Sequence, residues 1–151
     1  MSFEFLDFKL IKGEEIDLHL VQTVPGNPEK NWVPAYHFHL SLSGFSKPIG
    51  KIDIRIGNNE NLYYGGHIGY SVDEEYRGNH YAGKAVLLLR QVAEAHEMEK
   101  LIITCNPDNI ASRKTCEYVG ATLTKIVDVP SDSDLYERGE KEKCIYEWVL
   151  K

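Results

Sequence analysis

Apolar and polar positions along this chain follow two rhythms, one of period two and one of period 3.6, and the change between them marks out its elements. Phe3, Phe5 and Phe8, with Leu6, Leu10 and Ile11, suggest a first strand of imperfect alternation that Gly13 breaks. Glu14 to Val24 reads as a short helix with Ile16, Leu20 and Val24 on one face. Pro25-Gly26-Asn27-Pro28 has turn chemistry. Tyr36, Phe38, Leu40 and Leu42 share one side of a strand over Ala35 to Leu42, and Ile49 to Ile56 alternate as a third strand. Gly57 to Asn61 reads as a hairpin loop and Leu62 to Val72 as a fourth strand. Gly65, Gly66 and Gly69 interrupt that strand, as glycine does where a bulge forms or another group approaches the main chain.

Period 3.6 takes over from Tyr81 to Met98, with Ala82, Ala85, Val86, Leu89, Val92 and Ala93 on the apolar face. Leu101 to Cys105 is a compact buried strand, and Asn109 to Tyr118 a second helix stopped by Gly120. Ala121 to Val129 reads as a strand, Pro130 to Lys143 as a polar loop and Cys144 to Leu150 as a closing strand. Strands outnumber helices and a β–α–β unit lies in the middle, so the expected fold class is mixed α/β around one partly antiparallel sheet in a single domain.

The junction between the fourth strand and the long helix carries the chemistry. A helix N-terminus presents unpaired N–H groups and the positive end of its dipole, an arrangement that favours a phosphate. Arg77 before the turn and Lys84 in the first helical turn add positive charge at the same place. A phosphate-bearing ligand is therefore expected between Val72 and Tyr81.

Composition narrows the partners. The net charge of −6, from 17 basic and 23 acidic residues, argues against general nucleic-acid binding and is compatible with a cationic acceptor such as an amine. No apolar run is long enough to span a membrane, and the first residues lack the basic and apolar regions of a signal peptide, which makes cytoplasmic residence the expectation. Cys105, Cys116 and Cys144 lack CxxC spacing, and the histidines form no metal motif, so reduced thiols and no metal are expected. Exposed strand edges leave a homodimer open.

Order and motif together resemble the GCN5-related N-acetyltransferase (GNAT) superfamily, most specifically from Ile49 to Ala121. Arg77-Gly78-Asn79-His80-Tyr81-Ala82 matches the family's Arg/Gln-x-x-Gly-x-Gly/Ala turn at Arg77 and Ala82, with His80 where the middle glycine stands. Asn109, Ser112 and Gly120 supply the family's second motif, and Cys116 stands where many members carry a tyrosine that protonates the leaving thiolate. The resemblance implies acetyl-CoA as acyl donor. Its pantetheine arm would lie along Ser71 and Val72, and its pyrophosphate would be surrounded by Arg77, Gly78, Asn79, His80, Tyr81, Ala82, Gly83 and Lys84. Asn109 and Ser112 would contact the arm.

Direct transfer of the acetyl group to a primary amine, on a protein N-terminus or a small molecule, is the implied reaction. A backbone N–H near Tyr70 to Val72 would polarise the thioester carbonyl. His67, on the fourth strand, is the candidate base, with a core or solvent-facing strand histidine as the alternative. Ser112 or water would return a proton to the thiolate. The loops Val24 to Pro34 and Pro130 to Lys143 would wall the acceptor, and the acidity of the second favours a cationic one. A non-catalytic acyl-CoA-binding or sensing module is the rival reading. A nucleotide-binding protein is a weaker third, because both common phosphate-binding glycine motifs are missing.

Overall fold

The computed structural model describes residues 3–57 and 60–150. Its elements in chain order are the strands β1 (Leu10–Lys12), β2 (Ile16–Val24), β3 (Ala35–Leu42) and β4 (Gly50–Arg55), the short helix α1 (Glu60–Gly65), and β5 (Ile68–Val72). Then come α2 (Tyr81–Ala95), β6 (Lys100–Cys105), α3 (Ile110–Val119), β7 (Thr122–Asp128), the single turn α4 (Asp134–Glu137) and β8 (Glu142–Val149).

Two of these elements differ from the pattern reading. Residues 16–24 form a strand rather than a helix: Ile16 and Leu18 alternate into the core as readily as Ile16, Leu20 and Val24 line a helix. Pairing along the whole of β3 decides between the two periods. Residues 62–65 belong to α1 rather than to the fourth strand, and Gly66, at φ 77°, ends that helix while its N–H bonds Leu62. Of the expected Gly57 to Asn61 hairpin loop, Asn58 and Asn59 lie outside the described residues and Glu60 opens α1. The first strand is confined to β1, and the polar loop after β7 contains α4.

The strands form two antiparallel sheets, ordered β1-β2-β3-β4-β5 and β6-β8-β7, where one sheet was expected. Tyr36, Phe38 and Leu40 of β3 and Ile52 and Ile54 of β4 point to one face, onto Val86, Leu89 and Val92 of α2. Each of these fully buried aliphatic side chains contributes about 1.5–3 kcal/mol of transfer free energy. His37, His39, Lys51, Asp53 and Arg55 alternate onto the opposite, open face. In β6 the odd residues Leu101, Ile103 and Cys105 are buried, whereas Thr104 turns to α1 and its hydroxyl donates to the Tyr64 carbonyl at 3.0 Å.

The sheets touch at the start of β5. The His67 N–H donates to the Ile102 carbonyl at 2.7 Å, and the Ile102 N–H donates to His67 Nδ1 at 2.9 Å. Beyond that contact no ladder joins β5 to β6 among the described residues, which leaves between the two strands an unpaired gap, the wedge. Gly66 makes the close approach possible, since a Cβ there would lie 3.1 Å from the Thr104 nitrogen and 3.2 Å from the Ile102 oxygen.

Candidate active site

The wedge is lined by main chain. The Arg55 N–H donates to the His67 carbonyl and the Asp73 N–H to the Ile49 carbonyl, which fixes the parity of the β4–β5 ladder. Gly69 and Ser71 therefore direct their main chain at β4, and Tyr70 and Val72 direct theirs into the gap. The expected donor near Tyr70 to Val72 thus resolves to these two N–H groups. Ser71, expected along the pantetheine arm, gives its main chain to Lys51 and has only its hydroxyl to offer on the open face.

The turn after β5 is held in an unusual shape. Gly78 has φ 89° and no atom near its would-be Cβ, so it is there for conformation. His80 is also left-handed, at φ 61° and ψ 22°, the conformation that the glycine of the motif adopts freely. Its ring stacks on Tyr118 with centroids 4.7 Å apart and planes 8° apart, which offsets part of the backbone cost. Gly83 is buried against that same tyrosine ring, where a side chain would collide.

As the N-cap residue of α2, His80 makes no side-chain hydrogen bond to the first turn. The N–H groups of Tyr81, Ala82 and Gly83 open α2 without intrahelical acceptors. Arg77 Nε donates to the Val72 carbonyl at 2.8 Å, tying the guanidinium to the edge of β5 at the mouth of the wedge. Asn79 donates through Nδ2 to the Tyr76 carbonyl and stiffens the turn. The Lys84 ammonium is ion-paired with Glu15, on the turn between β1 and β2, and that carboxylate is the first cause of its raised pKa.

On the far side of the wedge, Asn109 Oδ1 accepts from the Ser112 N–H at 3.1 Å and caps α3. That oxygen is therefore engaged, which alters the expected role of Asn109. Asn106, three residues earlier, carries the one buried side-chain polar atom without a hydrogen-bond partner among the described residues, its Oδ1. A buried orphan acceptor beside a gap lined with free amides suits the amide-bearing arm of a pantetheine. Ser112 Oγ lies 2.6 Å from the phenol oxygen of Tyr70. Burial raises the Tyr70 pKa well above its ordinary range, so the phenol keeps its proton. Cys116 is fully buried, and its pKa is raised first by its hydrogen bond to Cys105 and then by burial; it is a neutral thiol.

His67 is not placed to act as a base. It is 1% exposed, Nδ1 accepts from Ile102, and Nε2 therefore carries the hydrogen and donates to the Gly57 carbonyl at 2.8 Å. With both nitrogens engaged, the imidazole joins the two sheets at the apex of the wedge. Burial first, then the Arg55 charge, lowers its pKa and keeps it neutral.

A different histidine faces the open side. His37 Nδ1 lies 3.8 Å from Asp53 Oδ2, and Asp53 Oδ1 accepts from the Gly69 N–H at 3.2 Å. The absence of a side chain at Gly69 makes room for that carboxylate, since a Cβ would lie 3.2 Å from Oδ1. His37 borders two hollows: one of about 370 Å³ over Gly69, Tyr70 and Ser71, and one of about 610 Å³ bounded by residues 31–33, 133–135 and 138. Segments of both loops expected to wall the acceptor thus line the larger hollow.

A family model described as an acetyltransferase (GNAT) domain matches residues 22–122. No curated protein sequence matches the chain significantly. Solved structures share its fold at low identity. An acetyltransferase (GNAT family) from Bacillus anthracis is 15% identical with a TM-score of 0.65, over 93% of this chain and 98% of that one. The ribosomal L7/L12 alpha-N-protein acetyltransferase RimL, in complex with coenzyme A, is 14% identical with a TM-score of 0.66, over 93% and 97%. The microcin C7 self-immunity acetyltransferase MccE, in complex with acetyl-CoA and AMP, is 20% identical with a TM-score of 0.59. The alignment covers 76% of this chain and spans 61% of MccE.

Proposed function

The chain belongs to the acetyltransferase (GNAT) domain family, and from that premise we propose that it transfers the acetyl group of acetyl-CoA directly to a primary amine. The observation that carries this reading is the continuity of two sets of donors. The Tyr70 and Val72 amides face the wedge, and the uncapped start of α2 lies just beyond it. A long ligand with an amide-bearing arm and a diphosphate matches that sequence of groups.

In this reading Arg77 and the amides of Gly78, Asn79, His80, Tyr81, Ala82 and Gly83 hold the diphosphate. Val72, Tyr70 and Asn106 hold the arm. Asn109 acts through Ser112, whose N–H it caps. Acetyl-CoA would supply an activated thioester. The amine arrives from the open face, because the opposite face is filled by α2. It must lose a proton to attack, and the His37–Asp53 pair takes that proton, directly or through water. Nitrogen then bonds to the acyl carbon as the carbon–sulfur bond breaks, and its second proton leaves through water, which restores the proton that the hydroxyl pair gives to sulfur. The Tyr70 N–H or the Val72 N–H steadies the charge that builds on oxygen, and the Tyr70–Ser112 pair returns one proton to the sulfur.

Release of free thiol from acetyl-CoA, measured across a panel of primary amines, tests the proposal. Amine-dependent release is expected, and His37→Gln should lower kcat/KM about 100-fold while acetyl-CoA affinity holds. Saturable acetyl-CoA binding with no amine-dependent release would point instead to a sensing module.

A further inference from the structure

The larger hollow carries information about the acceptor, on the premise that the chain is an amine acetyltransferase. Its walls are apolar and aromatic: Trp32, 55% exposed, stands on one side, and Leu62, Tyr64 and Leu135 face it. Its volume of about 610 Å³ falls within the roughly 300–1,000 Å³ range of small-molecule sites. It joins the reaction centre through His37, which it shares with the smaller hollow.

The charges in it run against those of the chain. Although the net charge is −6, the charged residues lining this hollow are Arg55, Arg138 and Asp134. The other acidic residues of the loop after β7, Asp132, Glu137 and Glu140, do not line it. Glu140 is taken up by Arg138 at 3.6 Å and Lys143 at 2.9 Å. The expectation that loop acidity favours a cationic acceptor therefore has little support from the residues lining this hollow.

Arg55 is the informative residue. It lies two positions from Asp53 on the same face of β4, which sets their Cα atoms about 7 Å apart. Its Nη1 donates to the Gly66 carbonyl at 2.9 Å, which orients a guanidinium bearing five N–H donors at the edge of the hollow. His37 as proton acceptor and an oriented guanidinium thus line one aromatic-walled chamber, with Asp53 behind His37 in the adjoining hollow. We infer that the acceptor is a small amino acid: its amine is presented to His37 and Asp53, its carboxylate is read by Arg55, and its apolar or aromatic side chain lies against Trp32 and Tyr64.

The experiment compares apolar and aromatic amino acids with the amines that lack their carboxylate, leucine against isoamylamine and phenylalanine against phenethylamine. Thiol release from acetyl-CoA is the readout. The amino acids should show kcat/KM at least ~30-fold higher, the size of one lost charge-assisted contact in a site built around it. In Arg55→Met, and less completely in Arg55→Lys, that ratio should collapse toward one, with acetyl-CoA binding showing that the variants are folded. Equal or faster turnover of the decarboxylated amines would overturn the inference while leaving amine acetylation standing. The same holds if the preference survives in a folded Arg55→Met. Absence of release with every amine would overturn the acetyltransferase reading itself, and this inference with it.

Discussion

The phenol oxygen of Tyr70 lies 2.6 Å from Ser112 Oγ, so the central residue of β5 is bonded to the first turn of α3 across the wedge. Position 116, where the family motif often has a tyrosine, is a buried cysteine on α3, and the tyrosine hydroxyl beside that helix comes instead from β5. In the proposed reaction Tyr70 is the proton source for the departing thiolate. Tyr70→Phe is expected to lower kcat about 10–100-fold, within the range of a lost general acid that water or Ser112 partly replaces. Acetyl-CoA affinity should change by less than about threefold, since the Tyr70 main-chain N–H is retained. Steady-state kinetics with paired calorimetry checks both, and an unaltered kcat would remove Tyr70 from the reaction.

His67 is expected to reveal itself in stability rather than in turnover. Its folded pKa is lowered by burial, so between that value and the unfolded value near ~6.5 the unfolded chain binds a proton that the folded chain does not. Stability from this group is complete above the unfolded pKa and falls as pH drops toward the folded one, by at most about 1.4 kcal/mol per pH unit. His39 and His96, also lowered, act with the same sign. His67→Gln should cost about 1–3 kcal/mol at pH 7.5, from the two bridging bonds, and should flatten the decline toward pH 5.5. Urea unfolding at the two pH values measures it. An unchanged slope would mean that His67 does not report the wedge.

His80 combines a left-handed backbone with a stacked ring, and two substitutions separate the effects. His80→Gly removes the backbone cost as well as the stack, and should stay within about 1 kcal/mol of the parent. His80→Ala keeps the backbone cost and loses the stack, and should be less stable than the glycine variant by about 1 kcal/mol. Thermal unfolding compares them. An alanine variant as stable as the glycine one would show that the turn relaxes out of the left-handed region.

The central β–α–β–α unit was legible because its signals are local. The 3.6 period of α2, the start of the second helix at Asn109, the Gly120 stop and the Arg77 turn each depend on a few neighbouring residues. What escaped is what depends on pairing between distant segments. Residues 16–24 satisfy either period, and only β3 chooses between them. His37 and Asp53 are unremarkable outward positions until the β3–β4 register sets them opposite each other, although the hairpin from Leu42 to Gly50 contained that register. His67 read as a candidate base, with a core or solvent-facing strand histidine as the alternative, because Ile102, the partner that decides between them, is far along the chain. Asn106 gave no signal, since an orphaned acceptor is visible only once its surroundings are built.

The account stands or falls on whether a diphosphate sits at the start of α2. Calorimetric titration of acetyl-CoA into the parent protein and into Arg77→Glu is the direct measurement, with circular dichroism to confirm that the variant is folded. Saturable binding by the parent, weakened at least ~10-fold by the charge reversal, is the predicted result. No binding to the parent, or equal affinity in the two proteins, would contradict it.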